Sequence, residues 1–334
     1  MSTSKSSRVR SSIAFVLSIL TVGLAIWLFT NRQYVLDQLT VWSYHPSASI
    51  ASLDERVQFT DKGLFTFYAT QPVVAEPSEF NSKCPRREAG SPILGCYTSD
   101  DRIYVFNMSN VQLDGMKEVT AAHEMLHAVW QRMGTDEQTR LAGLLTAAYE
   151  KNASPELRER MKYYERNEPD AISNELHSIL GTEVAGLGAE LDAYYGQYFE
   201  NRQVILDLHS KYNTVYQSLY SRADQLYKNM ETLSASIETR STQYDQDVAR
   251  LSTDIDSFNN RANNGNFDSM NQFNSERAAL ISRSNQLDSQ RSAINRDIAT
   301  YGQLYDEYQS IASQIEVLNN SIDSFKALGE TPTV

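Results

Sequence analysis

From residue 201 onward the chain carries an apolar repeat of period seven, and that repeat leaves over a third of its length little choice of fold. Ala223, Met230, Ile237, Tyr244, Leu251 and Phe258 stand seven apart, with Leu219, Leu226 and Leu233 in an alternate row. After Arg261–Asn266 the pattern restarts as Phe273, Leu280, Leu287, Ile294, Tyr301, Tyr308, Ile315 and Ile322, with Leu304, Ile311, Leu318 and Phe325 beside it. A sustained sevenfold repeat winds helices into a left-handed coiled coil. Gly265 between two runs of matched length predicts an antiparallel hairpin over 201–326 rather than one continuous helix that pairs in parallel. Each arm of about 60 residues would reach roughly 90 Å. Arg277, Ser284 and Arg291 fall in core rows and suggest a loosely packed or partner-binding seam.

At the other end, residues 13–29 carry no charge, and the uncharged span of 11–30 is long enough to cross a bilayer as a helix. Lys5, Arg8 and Arg10 precede it, which predicts a cytoplasmic N-terminus and an extracytoplasmic remainder. A cleavable signal peptide is the alternative. The apolar stretch is longer than its usual apolar region and no Ala-x-Ala site closes it, which favours a retained single-pass anchor.

The chemistry concentrates at His123-Glu124-Met125-Leu126-His127. Two histidines four apart on a helix project from one face. Both imidazoles can then reach one Zn²⁺ at about 2.0–2.1 Å, and Glu124 can lean over the remaining open position as a general base. Val119, Ala122, Leu126 and Val129 recur at helical spacing and would bury the opposite side. Asp114 and Gly115 mark a turn before this helix, and Gly134 a C-cap after it. Arg102–Met108 reads as a strand suited to align an extended peptide by backbone pairing. An ordinary amphipathic helix with polar-face histidines is the plain alternative, but the chain has only five His and two stand at metal spacing around a Glu.

Catalytic zinc usually keeps three protein ligands. His127 is followed by no third histidine of an HExxHxxGxxH pattern, so the third ligand lies further on, within 171–183. That segment reads as a short helix ending near Gly181 and a second beginning at Thr182. An HExxH motif followed by a later helix bearing Asn174-Glu175 resembles the gluzincin class of zinc metallopeptidases, and the long gap is similar to its lethal-factor-like branch. The resemblance spans roughly 100–200 and implies Glu175 as third ligand, with His177 and Glu183 as the competing choices. It also implies a Tyr or His donor to the transition state, for which Tyr163 and Tyr164 are the nearby candidates. Tyrosines are numerous here, so packing is their default role.

Cys84 and Cys96 lie twelve apart in a Pro-, Gly- and Ser-rich segment. An even cysteine count in an exported domain predicts a disulfide, and the absence of a CxxC pair argues against thiolate zinc ligation. The net charge of −12, from 42 acidic against 30 basic residues, speaks against a nucleic-acid partner.

These readings divide the chain into a basic cytoplasmic start (1–10), a transmembrane helix (11–30), a juxtamembrane connector (31–53), a zinc metallopeptidase domain (54–200), a coiled-coil hairpin (201–326) and a tail (327–334). Within 54–200, strands are expected at 57–59, 64–68 and 102–108, and helices near 116–132, 136–150, 155–166, 169–180 and 183–200. The fold expected is α+β, a small zincin-like domain between one membrane helix and a long hairpin. The function expected is a membrane-anchored peptidase that cleaves protein or peptide amide bonds, with Glu124 as base and His123, His127 and Glu175 on zinc. A hydrolase of cell-wall peptide is a variant of that reading. A non-catalytic surface adaptor, whose coiled coil binds a protein partner and whose metal site is structural or relict, is the alternative.

Overall fold

The computed structural model describes residues 4–85 and 92–326, with side chains from residue 13 onward. Lys5, Arg8, Arg10 and the tail 327–334 lie outside the described side chains. Two compact units emerge, residues 1–214 with 318–334, and residues 215–317.

The first unit opens with α1 (Ser4–Thr30), whose stretch Ile13–Thr30 is long and apolar enough to cross a membrane and touches no core. Next come α2 (Arg32–Ser43), α3 (Ala48–Val57) and α4 (Asp61–Ala69). Residues 48–57 contribute Ile50, Leu53 and Val57 to the core, so the connector expected over 31–53 is largely part of the folded unit. Leu64–Tyr68 is helix, not the expected strand. Thr60 Oγ1 accepts the Gly63 N–H at 3.1 Å and starts a helix there, which turns Gly63, Thr66 and Phe67 to one buried face. A Cβ on Gly63 would lie 2.2 Å from the Tyr198 carbonyl oxygen, so this helix packs on backbone that only glycine admits. Of the strand expected at 57–59, only an isolated bridge from Phe59 to Phe199 forms.

A three-stranded sheet supports the middle of this unit. It consists of β1 (Val73–Ala75), β2 (Gly95–Tyr97) and β3 (Ile103–Phe106) in the order β1-β3-β2. β3 runs parallel to β1 and antiparallel to β2, and all four of its residues are buried. The Arg102–Met108 run therefore forms the central strand and offers no open edge. The edges belong to β1 and β2, and β2, the one beside Glu124, was not placed by the sequence reading. The short helix α5 (Pro77–Lys83) ends beside Cys84, and a Cys84–Cys96 disulfide ties it to β2 with Cα atoms 5.8 Å apart.

Helices complete the unit: α6 (Met116–Arg132), α7 (Thr135–Asn152), α8 (Pro155–Asn167), α9 (Ile172–Glu183) and α10 (Ala189–Tyr195). α6 starts at Gly115, which holds φ 98°, a left-handed conformation costly for other residues. Gly134 caps the start of α7 instead of the end of α6. α9 runs unbroken through Gly181, contrary to the expected break, because Gly181 serves packing. A Cβ there would meet Leu126 Cδ1 at 2.5 Å and Tyr195 Cε1 at 2.6 Å. Of the helix expected over 183–200, only 189–195 forms. Met125, Leu126, Leu141, Leu145, Ile179, Leu180 and Tyr195 close the core. Each such side chain contributes about 1.5–3 kcal/mol on burial.

The second unit is a pair of long helices, from α11 (Arg202–Asn263) and α12 (Met270–Ile322), joined at Gly265 with φ 68°. Ion pairs Arg222–Glu307, Arg240–Asp297, Arg283–Asp254 and Arg261–Glu276 advance along one helix as they retreat along the other, so the helices are antiparallel. Leu226, Met230, Leu251, Phe258 and Ile294 are buried between them, as the repeat predicts. Phe258, Phe267 and Phe273 cluster at the turn with centroids 5.1–5.2 Å apart. Arg277, Ser284 and Arg291 are exposed and do not enter the seam. Phe325 falls beyond the end of α12 and is exposed.

Candidate metal centre

α6 buries Val119, Ala122, Met125, Leu126 and Val129 against the core, and this fixes the opposite bearing of His123 and His127. Their rings stand edge to face, and their Nε2 atoms are 3.1 Å apart. Two ligands at about 2.0–2.1 Å from one tetrahedral ion would lie roughly 3.3–3.4 Å apart, so one ion can satisfy both. α9 crosses α6 closely where Gly181 meets Leu126, and it delivers Glu175. Glu175 Oε1 is 3.6 Å from His127 Nε2, and Oε2 is 3.8 Å from His123 Nε2. His123, His127 and Glu175 thus form a group able to hold a metal ion, with ligand atoms all within 4.8 Å of one another.

Two features favour a cation there. Glu175 Oε2 is buried without a hydrogen-bond partner, and such a carboxylate oxygen is costly unless something positive completes it. Burial and the adjacent His127 also push His123 well below the ordinary histidine range, which leaves it a neutral ligand with a free lone pair. His127 is aimed from behind. Its Nδ1 lies 3.0 Å from Asn174 Oδ1 and 3.3 Å from Ser178 Oγ, which assigns the N–H to Nδ1 and turns the bare Nε2 toward His123 and Glu175.

Glu124 lies beside this group, nearly buried, against the edge strand β2. A Cβ on Gly95 would sit 2.8 Å from Glu124 Oε1 and 2.6 Å from Thr120 Cγ2, so glycine lets the strand approach the carboxylate. Burial raises Glu124 to about 7; Glu175 adds to the rise, while His127 and the Tyr97 N–H oppose it. Leu94 and Thr98 bond inward to Phe106 and Arg102, so by antiparallel alternation Gly95 and Tyr97 turn their backbone groups to the open edge.

Of the two tyrosines considered, Tyr164 reaches the site. Its hydroxyl bonds to Glu175, and burial with the Glu175 charge raises its pKa, which keeps the proton on oxygen. Tyr163 packs edge to face against Tyr164 with centroids 5.6 Å apart. His177 points into the core. It is fully buried, its Nε2 lies 2.8 Å from the Tyr194 hydroxyl, and desolvation lowers it to about 3. Glu183 pairs with Arg160 at 2.6 Å and stands 3.5 Å from His209, away from the ligand group. Among the three choices for the third ligand, only Glu175 meets both histidines. A cleft of about 690 Å³ opens near the start of α6, lined in part by Arg56, Asp114 and Glu118; none of these site residues lines it.

Sequence reasoning assigned no role to Asn174, Ser178, Gly95 or Tyr97. A three-residue strand is too short for alternation to register, and its one signal was the position of Cys96 beside Gly95. Set beside known proteins, this chain matches no family model, no curated protein and no solved structure.

Proposed function

We propose that this protein is a membrane-anchored zinc metallopeptidase whose first unit is a zincin-like catalytic domain of the gluzincin kind. The observation that carries this reading is the meeting of His123, His127 and Glu175 around one point, with Glu124 beside them and an orphaned carboxylate oxygen facing in. Two imidazoles and one carboxylate are a familiar catalytic zinc set that leaves a position open. When bound there, zinc would supply Lewis acidity toward water and toward a scissile carbonyl.

The residues around that point do the rest. Glu124, with its pKa raised close to neutral, takes a proton from the attacking water and passes it to the leaving amine. The Tyr164 hydroxyl donates to the oxygen that gains charge at the carbonyl. Asn174 holds His127 in the ligating tautomer. An extended peptide would pair with the open edge of β2, where Gly95 presents its backbone next to Glu124. Ile13–Thr30 would hold the chain in the membrane, with Lys5, Arg8 and Arg10 on the cytoplasmic side and both units outside. The Cys84–Cys96 disulfide agrees with an oxidising compartment.

The test is metal content and cleavage in the full chain. Purified protein should hold about one zinc per chain, and Glu124→Gln should keep the zinc while peptide hydrolysis disappears. Cleavage by Glu124→Gln equal to wild type would overturn the reading. Casein and muropeptides as parallel substrates separate a protein peptidase from a cell-wall hydrolase. A non-catalytic adaptor is the second reading. It draws on Tyr220, Tyr227, Ile298 and Tyr305, large apolar side chains exposed along the helix pair. Zinc without any hydrolysis in the wild-type chain would favour it.

A further inference from the structure

α2 begins at Arg32, with only Asn31 between it and Thr30, where the membrane-length helix α1 ends. Backbone bonding runs through the junction: the Asn31 N–H reaches Trp27 O, and the Val35 N–H reaches Asn31 O. The start of α2 therefore cannot leave the boundary where α1 would emerge from lipid. One side is pinned to the fold and the other is exposed. Inward, Asp37 is buried and takes two hydrogen bonds of 2.9 Å from Arg132 at the end of α6; Tyr34 packs on Phe65 but stays half exposed at the margin. Outward, Leu36 is 57 % exposed, Leu39 54 % and Trp42 83 %. These three recur every third residue and form one apolar stripe, with Arg32 on the same side.

We infer that α2 lies in the interfacial layer of the bilayer that α1 crosses, with Leu36, Leu39 and Trp42 inserted among the lipid headgroups and upper acyl chains. An amphipathic helix seats its apolar face about 5–10 Å into that layer, and Trp is favoured at this depth. Covalent continuity with α1 selects lipid over a second protein. A stripe this close to an emerging span meets the bilayer before any soluble partner. The Arg132–Asp37 clamp then ties α6, and with it His123, Glu124 and His127, to a helix at fixed depth. The site would work at the membrane surface, on substrates that present peptide there. This inference rests on the anchor reading of α1.

The experiment keeps the full chain, reconstituted in vesicles of phosphatidylcholine with phosphatidylglycerol. Single cysteines replace Ile19, Leu39 or Thr146, and each carries a nitroxide attached without reductant, so that Cys84–Cys96 stays bonded. All three side chains are exposed, so labelling leaves the core intact. Collision rates with oxygen and with a soluble nickel chelate report depth. Leu39→Cys should collide several-fold more with oxygen than with the chelate, Ile19→Cys more so, and Thr146→Cys the reverse. Lipid exposure at Ile19 with chelate access at Leu39 overturns the inference and leaves the anchor standing. Shielding of Leu39 from both reagents overturns it in favour of a protein contact. Chelate access at Ile19 overturns the anchor itself.

Discussion

Asn174 Oδ1 stands 3.0 Å from His127 Nδ1, so a residue on α9 sets the tautomer of a histidine on α6. The neighbouring Glu175, from the same turn, completes the group that could hold a metal ion. One helix thus both closes the metal group and orients it, and the seating of α9 on α6 decides whether a site exists.

Asn174→Ala removes that acceptor. Partners of this kind typically cost about 10- to 100-fold in metal affinity when lost. Chelator competition should show such a drop with unchanged circular dichroism, and Asn174→Asp, which keeps the acceptor, should restore most of it. Wild-type affinity in Asn174→Ala would remove the orienting role.

Glu175→Ala should release the ion at neutral pH, whereas His177→Phe and Glu183→Ala should retain it. His177→Phe instead removes one partner of the Tyr194 hydroxyl, which keeps Tyr198, and should cost about 0.5–1.5 kcal/mol of stability. Metal analysis and thermal melting of the three variants check this; metal loss from either control would reassign the ligand.

Gly95→Ala puts a methyl group 2.8 Å from Glu124 Oε1. Overpacking of this kind costs about 1–3 kcal/mol and here displaces the base. Activity toward peptides should fall at least tenfold (about 1.4 kcal/mol or more) while bound metal stays at the wild-type level. Steady-state kinetics with metal analysis decides it.

The pH dependence of stability follows from His177. Folding depresses it from 6.5 to about 3 because burial disfavours the charged ring. Below about 6.5 the unfolded chain binds a proton that the folded chain refuses, so stability is full above 6.5 and falls as pH drops toward 3. Denaturant melts in the presence of chelator should show that decline, and His177→Phe should make it shallower, with buried His123 supplying part of what remains.

Reducing the Cys84–Cys96 disulfide frees β2 from α5. Closing a loop of this size contributes about 3 kcal/mol through the unfolded chain. Cys84→Ser with Cys96→Ser should therefore melt lower, and cleavage should fall more than metal content, since Gly95 of β2 lies against Glu124. Melting curves and cleavage assays on the double variant report both.

The fold was legible where periodicity is long. Sevenfold rows of Leu, Ile and Tyr placed the helix pair, and i, i+3, i+4 spacing placed α6 to its terminal residues, because such patterns repeat one demand many times. It failed where local preference met a tertiary partner. Leu64–Tyr68 has strand-forming side chains, yet the Thr60 cap and the Tyr198 backbone against Gly63 make it helix. Gly181 looked like a helix end and is a contact point between helices.

Within the site, residue order alone determined His123, Glu124 and His127. A helix of fixed pitch projects residues four apart to one face, whatever surrounds it. Only the packed molecule shows that Glu175, rather than His177 or Glu183, stands beside the two histidines, and that Tyr164 rather than Tyr163 stands beside Glu175. Those choices depend on which face of α9 and α8 turns toward α6, and that is set by side chains distant in sequence filling one core.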